Sequence, residues 1–409
     1  MFRDIRKMCT QAKGQRYRNR AETGNRYCEQ MPQLAPHIDA VPGSGIRAIH
    51  EIAIQLDDVI MLAVGEPDRD AAPHIGAAAR RAWDEGETHY TANAGIPQLR
   101  EALKKKLARD NDLHVQTEQV WVTVGATQAL HQSMVLTLAA GDEVLVPDPG
   151  YTTFTMNARM IDAVPVPYSL LPEHGFLPDL AQLETLVSGR TRVLMVNSPS
   201  NPLGVVFPRE TLEDLLDFAE RHDLWIISDE VYEAFHYGAD HVSIASLGGS
   251  ERVFSVFSLS KTYAMTGVRV GYLVTPPGLT ETLRTVQEAA ISCVGSSDQF
   301  AALAAIEGPQ DDVAEASRHY RSNYEAAVAV LDGLGIRHHV PQGAFYLWID
   351  VSHAAGGDVA GWAQRFLLEH RVAVAPGSAF GRSGEGWIRV CLAASRDDLV
   401  AGLGRLPRA

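Results

Sequence analysis

The chain has 409 residues, of which 46% are hydrophobic and 21% are charged, as is typical of a soluble globular protein of two or three domains. Its formal net charge of -14 disfavours nucleic acid and anionic membrane surfaces as partners. The four cysteines lack the spacing of a metal site or a disulfide framework, and no apolar run suits a membrane span. We therefore expect a cytoplasmic protein with free thiols and no bound metal.

Residues 1–30 differ in composition from the rest of the chain. They contain eight arginines and lysines against three acidic residues, and they lack the apolar core of a secretion signal. Such a segment fits either an organelle transit peptide or a mobile arm that embraces a partner. We favour the arm and assign it residues 1–40.

Between residues 120 and 275 the sequence alternates short apolar runs with helix-like stretches such as "RETLEDLLDFAERHD". The runs are nearly continuous in apolar residues, as in strands buried on both faces of a parallel sheet. The pattern predicts an α/β fold with a mostly parallel central sheet flanked by helices. The candidate strands are "VWVTVG", "EVLVPDPG", "RVLMVNSPS", "LWIISDE", "RVFSVFSLSK" and "VGYLVTPP".

The pattern changes after about residue 311. A long helical stretch, "DDVAEASRHYRSNYEAAVAVLDGLG", precedes strand-like "GAFYLWIDV" and "GWIRVCLAA". These elements predict a smaller α+β domain at 311–409, to which we assign residues 41–75 as an N-terminal part. Residues 76–310 would form the large domain.

Most candidate strands end in a loop with polar, glycine or proline residues. In sheets of this kind, ligands collect at the carboxyl ends of the strands. Five such loops meeting at one edge predict a cofactor pocket. The loops are Gly125, Asp148–Tyr151, Asn197–Gly204, Asp229–Tyr232 and Ser258–Lys261.

"SLSKTYAMTGVRVG" places Lys261 at a strand end, with Ser258 and Arg269 close in sequence. A lone lysine is usually a surface residue. A partly desolvated lysine near positive charge has instead a lowered pKa and a nucleophilic amine that can form a Schiff base with an aldehyde. A hydroxyl and a guanidinium suit a phosphate. An aldehyde that carries a phosphate describes pyridoxal 5′-phosphate (PLP).

"IISDEVY" places Asp229 directly after a buried strand and Tyr232 three residues later. An aspartate there can cap a helix, or it can hold a protonated pyridine nitrogen, as PLP chemistry requires. Beside Lys261 the second interpretation is the better one, and Tyr232 can reach the phenolic oxygen of the ring.

"VTVGATQAL" is a strand followed by a glycine and the start of a helix. Gly125 allows close backbone approach, while the amides of Ala126 and Thr127 and the Thr127 hydroxyl suit a phosphate. In "PDPGYTTF", Tyr151 stands at another strand end, where its ring could stack on a flat cofactor or pack in the core.

Taken together and in order, these motifs resemble those of the fold-type I PLP-dependent enzymes, specifically the class I/II aminotransferases, which include aspartate aminotransferase. The resemblance runs from about Ser44 to Leu399. Each motif alone is modest evidence, whereas the ordered set is specific. The motifs are "GSGIR", "VGEPD", "HYTANAGIPQLR", "VGATQAL", "NSPSNPLG", "SDEVY", "SLSKTYAMTGVRVG" and "GWIRV".

The resemblance implies roles around the cofactor ring. Lys261 would form the Schiff base with PLP and later move the proton during catalysis. Asp229 would pair with the ring nitrogen, Asn201 and Tyr232 would contact the phenolic oxygen, and Tyr151 would stack on the ring. The residues around the phosphate would be Gly125, Ala126, Thr127, Ser258 and Arg269.

The resemblance also implies how substrate is held. Arg389 of "GWIRV" would bind the α-carboxylate of an amino acid or a 2-oxo acid, with Asn201 beside it and Gly65 of "VGEPD" closing over it. Tyr90 of "HYTANAG" would reach the phosphate of a neighbouring subunit, which implies a homodimer with shared active sites.

Departures from the family pattern bear on the substrate. Val268 stands where many relatives have tryptophan, and Thr127 stands where some aspartate-using relatives have lysine. The segment 291–300, "ISCVGSSDQF", contains no arginine that could bind a side-chain carboxylate. The sequence therefore predicts that neutral, cationic or sulfonium-bearing amino acids are preferred over aspartate.

Two other functions compete with transamination. A PLP-dependent lyase or replacement enzyme, similar to 1-aminocyclopropane-1-carboxylate synthase, would use the same residues, because the cofactor stabilises the same carbanion. A ligand-sensing regulator with an aminotransferase-like domain would carry a DNA-binding domain upstream. About 40 residues precede Ser44, too few for such a domain and a linker, so we expect an enzyme.

Overall fold

The computed structural model describes residues 32–409. The basic segment 1–30, with most of the arm predicted at 1–40, lies outside the described residues. A 3-10 helix covers Pro36–Ala40. The unit Val41–Ala409 is compact and begins with helix α1 (Gly45–Ala53) and strand β1 (Ile60–Met61).

The central sheet is formed by strands between residues 120 and 274. They are β2 (Val120–Val124), β3 (Glu143–Asp148), β4 (Val164–Ser169), β5 (Thr191–Asn197), β6 (Trp225–Asp229), β7 (Val253–Ser258) and β8 (Val270–Val274). Their order is β2-β8-β7-β6-β5-β3-β4. Strand β8 runs antiparallel to both neighbours, and the other pairings are parallel. The predicted α/β fold with a mostly parallel sheet is confirmed.

Strand β4 was absent from the sequence-based prediction. Its sequence, "VPVPYS", contains Pro165 and Pro167, which cannot donate to a sheet ladder. The strand lies at the edge of the sheet and pairs with β3 alone, so the missing donors leave no neighbour unpaired. Proline in a strand pattern is therefore compatible with this edge position.

Both faces of the sheet are covered, because successive residues of one strand belong to different hydrophobic clusters. In β3, Leu145 belongs to one core cluster, whereas Val144 and Val146 belong to another. The helices of this part are α2 (Pro73–Asp84), α3 (Pro97–Asp110), α4 (Gly125–Thr137), α5 (Thr153–Met160), α6 (Leu180–Leu186), α7 (Arg209–Arg221), α8 (Leu259–Thr262), α9 (Thr280–Ala290) and α10 (Ser296–Glu307). Burial on both faces explains the nearly continuous apolar strands.

The C-terminal part has its own antiparallel sheet, in the order β12-β13-β10-β9. Its elements are α11 (Asp311–Leu334), β9 (His338–His339), β10 (Tyr346–Asp350), α12 (Ser352–Ala355), α13 (Val359–His370), β11 (Val372–Ala373), β12 (Ala375–Pro376), β13 (Trp387–Cys391) and α14 (Arg396–Leu403). Strand β11 pairs in parallel with β1, so Ile60 lies opposite Val372. No helix within residues 32–409 combines the length and apolarity needed to cross a bilayer.

Candidate active site

A cavity of about 360 Å³ opens where β3, β5, β6 and β7 end. Asp229 and Ser258 are the last residues of β6 and β7, so both point out of the sheet at one edge. Most of the predicted site residues line this cavity: Gly65, Ala126, Thr127, Tyr151, Asn201, Asp229, Tyr232, Ser258, Lys261, Arg269 and Arg389. Gly125 and Tyr90 are the predicted residues that do not line it.

Lys261 lies on α8, the single helical turn that follows β7. Its Nζ donates a hydrogen bond of 2.6 Å to the carbonyl oxygen of Gly65. Burial, together with the charges of Arg389 and Arg269, lowers the pKa of Lys261 to about 8, and the charge of Glu66 opposes this shift. A partly buried amine with this pKa is not an ordinary surface lysine, and a sizeable fraction of it is neutral near pH 8.

Asp229 is buried, with 3% of its surface exposed. Burial raises its pKa to about 7, the charge of Glu230 adds to the increase, and a backbone hydrogen bond from Val231 opposes it. The Val231 amide donates to Asp229 Oδ1 over 3.3 Å. The carboxylate thus accepts from the backbone of its own turn and also lines the cavity, and its assignment to a ring nitrogen stays a prediction.

Asn197, to which the sequence analysis assigned no role, connects two residues of the site. Its Nδ2 donates to the carbonyl oxygen of Asp229 over 3.0 Å, and its Oδ1 accepts from the amide of Asn201 over 2.9 Å. Because Asn197 ends β5 and is buried, this side chain ties the β5 loop to the end of β6. The sequence feature that could have indicated this role is the first asparagine of the motif "NSPSNPLG", which is Asn197.

Arg389 is a buried cation in β13, with 2% of its surface exposed. It donates to Asn201 Oδ1 over 2.9 Å and to the Ala63 carbonyl over 2.5 Å, and its guanidinium lies 4.3 Å from the centre of the Tyr346 ring. Its Nε is buried without a partner, and within residues 32–409 it forms no ion pair. A buried guanidinium with a free donor at a cavity has the chemistry that suits an anion.

Two tyrosines meet on one wall of the cavity. The hydroxyls of Tyr232 and Tyr346 lie 2.7 Å apart. Burial, with the neighbouring Tyr346, raises the pKa of Tyr232 well above its usual value, so Tyr232 is a neutral hydroxyl. The sequence analysis did not predict Tyr346 as a site residue, because in the sequence it is simply one residue of the apolar run that forms β10. Tyr346 also explains why residue 65 is a glycine, since a Cβ at that position would lie 2.1 Å from the Tyr346 hydroxyl.

The guanidinium of Arg269 lies against the start of α4. Gly125 has φ +66°, and a Cβ on it would lie 2.4 Å from the Arg269 guanidinium. Arg269 itself has φ +64°, a conformation that costs an arginine roughly 1–3 kcal/mol. Gly125 therefore makes room for Arg269, whereas Ala126 and Thr127 in the first turn of α4 face the cavity. A helix start beside a guanidinium suits a phosphate.

Tyr90 lies in the segment between α2 and α3, with 90% of its surface exposed. It is absent from the cavity of its own chain. The predicted contact of Tyr90 with a neighbouring subunit stays a prediction.

The N-terminal helix adds cavity residues that the sequence analysis did not assign. Ser44 caps α1, and Ser44, Arg47 and His50 all line the cavity. Residues three apart lie on one face of a helix. The motif "GSGIR" was recognised in the sequence, but nothing in the local pattern indicated which way this helix faces.

Comparison with known proteins agrees with this geometry. The family model "Aminotransferase class I and II" matches residues 57–405. An aspartate aminotransferase of Pyrococcus horikoshii is 35% identical over 92% of this chain and 97% of its own length. An aspartate/prephenate aminotransferase of Thermus thermophilus is 37% identical over 92% and 99%.

Solved structures show the same likeness. The Thermus thermophilus aspartate aminotransferase with maleate superposes with a TM-score of 0.88 and 36% identity, over 92% of this chain and all of that one. The fold is that of the fold-type I enzymes, and the predicted cofactor and reaction class follow from the family. This chain belongs to the class I and II aminotransferase family and is a PLP-dependent aminotransferase.

Proposed function

We propose that the cavity at the ends of β3, β5, β6 and β7 is the active site, and that it exchanges the amino group between an L-amino acid and a 2-oxo acid. The observation that carries this proposal is the presence of two basic side chains in one cavity, the buried Arg389 and the partly buried Lys261. Arg389 has a free Nε, and Lys261 has a pKa of about 8. The first suits a carboxylate, and the second suits an aldehyde.

The donor set fits PLP. Ala126, Thr127, Ser258 and Arg269 offer backbone amides, hydroxyls and a guanidinium for the phosphate. Asp229 offers a buried carboxylate for the pyridine nitrogen, and the neutral Tyr232 hydroxyl with the Asn201 amide suits the phenolic oxygen. When bound, PLP supplies an aldehyde that takes up the amino group and a protonated ring that withdraws electrons from the substrate Cα.

The chain's own residues would move the proton and hold the ring. With a pKa of about 8, Lys261 has roughly a tenth of its molecules neutral at pH 7, so its amine can attack an aldehyde and accept a proton. Asp229 would hold a proton on the ring nitrogen, because a buried carboxylate is stabilised by a cation held against it. The Tyr151 ring lines the cavity, where it would stack on the cofactor.

Arg389 would orient the substrate. Its Nε and a terminal nitrogen can donate in parallel to the two oxygens of an α-carboxylate, while Asn201 holds the guanidinium in place. Gly65 also lines the cavity, and its carbonyl accepts a hydrogen bond from Lys261. A carboxylate seated beside Lys261 would place the substrate Cα close to the amine that moves the proton.

The test is a half-reaction assay on the purified PLP-loaded protein. Amino acids should convert the yellow enzyme to its colourless amino form, and a 2-oxo acid should restore the colour with release of a new amino acid. Formation of ammonia or of an elimination product without any 2-oxo acid would instead identify the lyase predicted as the alternative.

We also propose a homodimer in which Tyr90 reaches the phosphate held by its partner. The exposure of this aromatic ring supports the proposal, because large exposed apolar side chains are common at interfaces. The likeness of "HYTANAG" to the family motif supports it further.

The domain boundaries remain a proposal as well: 41–75 with 311–409 as the small domain and 76–310 as the large one. The pairing of β1 with β11 supports this division, because it joins residues 60–61 to the C-terminal part.

A further inference from the structure

We infer that Arg69 is a positioning residue for Lys261: its guanidinium holds the carbonyl end of helix α8, so that the amine carried by this helix keeps its place at the cavity wall. This inference rests on the proposed function of the cavity, in which Lys261 receives the cofactor and moves the substrate proton. Arg69 is not among the residues that line the cavity, so it would act through α8 and not through contact with cofactor or substrate.

Arg69 joins three parts of the chain through two hydrogen bonds to backbone carbonyls. Its Nη2 donates to the carbonyl oxygen of Thr262 over 2.9 Å, and its Nη1 donates to that of Asp312 over 2.5 Å. Thr262 is the last residue of α8 and the immediate neighbour of Lys261, while Asp312 lies in the first turn of α11. Because a charged donor forms a stronger hydrogen bond than a neutral one, the guanidinium is a firm anchor for the end of α8.

Helix α8 needs such an anchor, because it is a single turn of four residues. A turn this short is not stable by itself, and the carbonyl groups at its end have no partner within the helix. At its start, the Ser258 hydroxyl accepts from the Ser260 amide over 3.1 Å. The carbonyls of Leu259 and Ser260 accept from backbone amides that follow the helix. The Thr262 carbonyl accepts from the side chain of Arg69 instead.

The residues just before Arg69 contact the same part of the chain. The Gly65 carbonyl accepts from Lys261 Nζ over 2.6 Å, and the Glu66 carboxylate accepts from the hydroxyl of Thr266. One short segment therefore contacts the Lys261 side chain at one point and the backbone of α8 at another. Without Arg69, the amine could still donate to Gly65, but the helix that carries it would be free to shift.

The competing interpretation is an arginine that only stabilises the fold. Within residues 32–409, Arg69 forms no ion pair, and its Nε is buried without a partner. A buried donor without a partner lowers stability, so this arginine is not the best choice for stability alone. Arg100 provides a matched comparison. It also donates to two backbone carbonyls, those of Thr117 and Val120, and neither residue belongs to α8 or lines the cavity.

The first experiment compares wild type with Arg69→Met, Arg69→Lys and Arg100→Met, each loaded with PLP. Exchange of the substrate Cα proton for deuterium is measured against amino acid concentration. In Arg69→Met the maximal exchange rate should fall about tenfold, because the amine is in place less of the time. The half-saturating concentration should change less than about twofold, because Arg389 is intact. Arg69→Lys keeps a charged donor and should recover most of the rate, and Arg100→Met should keep nearly all of it.

A second readout uses the PLP-free protein and does not depend on turnover. The labelling rate of Lys261 with trinitrobenzenesulfonate, followed against pH, gives the apparent pKa of the amine. In Arg69→Met this pKa should rise by about half a pH unit or more, since an amine that is held less firmly is better hydrated. The charge of Arg69 is not among the causes that lower the pKa of Lys261, so the change would report the position of the amine. Arg100→Met should leave this pKa unchanged.

The remaining outcomes separate the inference from the proposed function. Equal losses of exchange in Arg69→Met and Arg100→Met, or a lower melting temperature of Arg69→Met with an unchanged Lys261 pKa, would overturn the positioning role. If Arg69→Met does not fold, Arg69→Gln replaces it under the same criteria. A wild type that exchanges the Cα proton of no amino acid overturns the proposed function itself, and the labelling of the PLP-free protein still decides on Arg69.

Discussion

The amine of Lys261 donates to the carbonyl oxygen of Gly65 over 2.6 Å, although the two residues lie 196 positions apart in the chain. This contact joins "VGEPD" to "SLSK". It holds the amine inside the cavity, at a wall where a side chain on Gly65 would collide with Tyr346. The contact therefore orients the group that the proposed reaction requires.

Lys261 should be the residue that binds PLP covalently. Borohydride treatment of the yellow protein should attach the cofactor permanently to the peptide that contains Lys261, as mass spectrometry would show. Lys261→Ala should retain PLP noncovalently, because the phosphate seat is intact, and should lose most of the proton-transfer rate. A label fixed on any other lysine would contradict the assignment.

The reactivity of Lys261 should depend on pH with an apparent pKa of about 8 in the PLP-free protein. Burial and the neighbouring arginines disfavour the charged amine, so its neutral, reactive form accumulates as pH rises towards 8 and is nearly complete above 9. The measurement is the labelling rate with trinitrobenzenesulfonate, followed on the Lys261 peptide. A rate still rising tenfold per pH unit at pH 9.5 would show an ordinary lysine.

Asp229→Asn should weaken PLP binding and slow removal of the substrate Cα proton by about 100-fold or more, because a neutral amide cannot hold the ring nitrogen protonated. Exchange of the Cα proton for deuterium measures this step. Glu230→Gln is the matched control, since Glu230 is also buried but bonds to Ser228 and Ser243 and does not line the cavity. Its effect should be at least tenfold smaller, and equal effects would mean that only the net buried charge matters.

Arg389→Gln should lower kcat/KM for every amino acid by about 100-fold or more, because it removes a buried guanidinium from the α-carboxylate. The loss should be similar for alanine and aspartate. The PLP content of the variant should stay close to that of the wild type. Selective loss of aspartate turnover alone would show that Arg389 binds the side-chain carboxylate instead.

The protein should sediment as a dimer at assay concentration. Tyr90→Phe should then weaken PLP binding, by up to about tenfold, through the loss of one hydroxyl contact to the partner's phosphate. Titration of the PLP-free protein measures this affinity. A stable and fully active monomer would refute the shared site.

The sequence by itself determined the residues that lie at strand ends. Asp229 and Lys261 each follow a short, continuous apolar run, and such runs indicate strands buried on both faces. Because parallel strands end at one edge, the order of these runs along the chain was enough to predict that the two side chains share a cavity. The sequence did not predict the edge strand β4, because its prolines are tolerated only in a strand that has no neighbouring strand on one side.

The tertiary structure alone decided which distant segments complete the cavity. Arg47 and Tyr346 look locally like an ordinary helix residue and an ordinary strand residue, and each faces the site because of packing elsewhere. Ile49 and Ala53 set the rotation of α1, and the pairing of β10 with β13 places Tyr346 beside Arg389. Orientation of this kind depends on contacts between residues far apart in the chain, which local patterns of hydrophobicity do not contain.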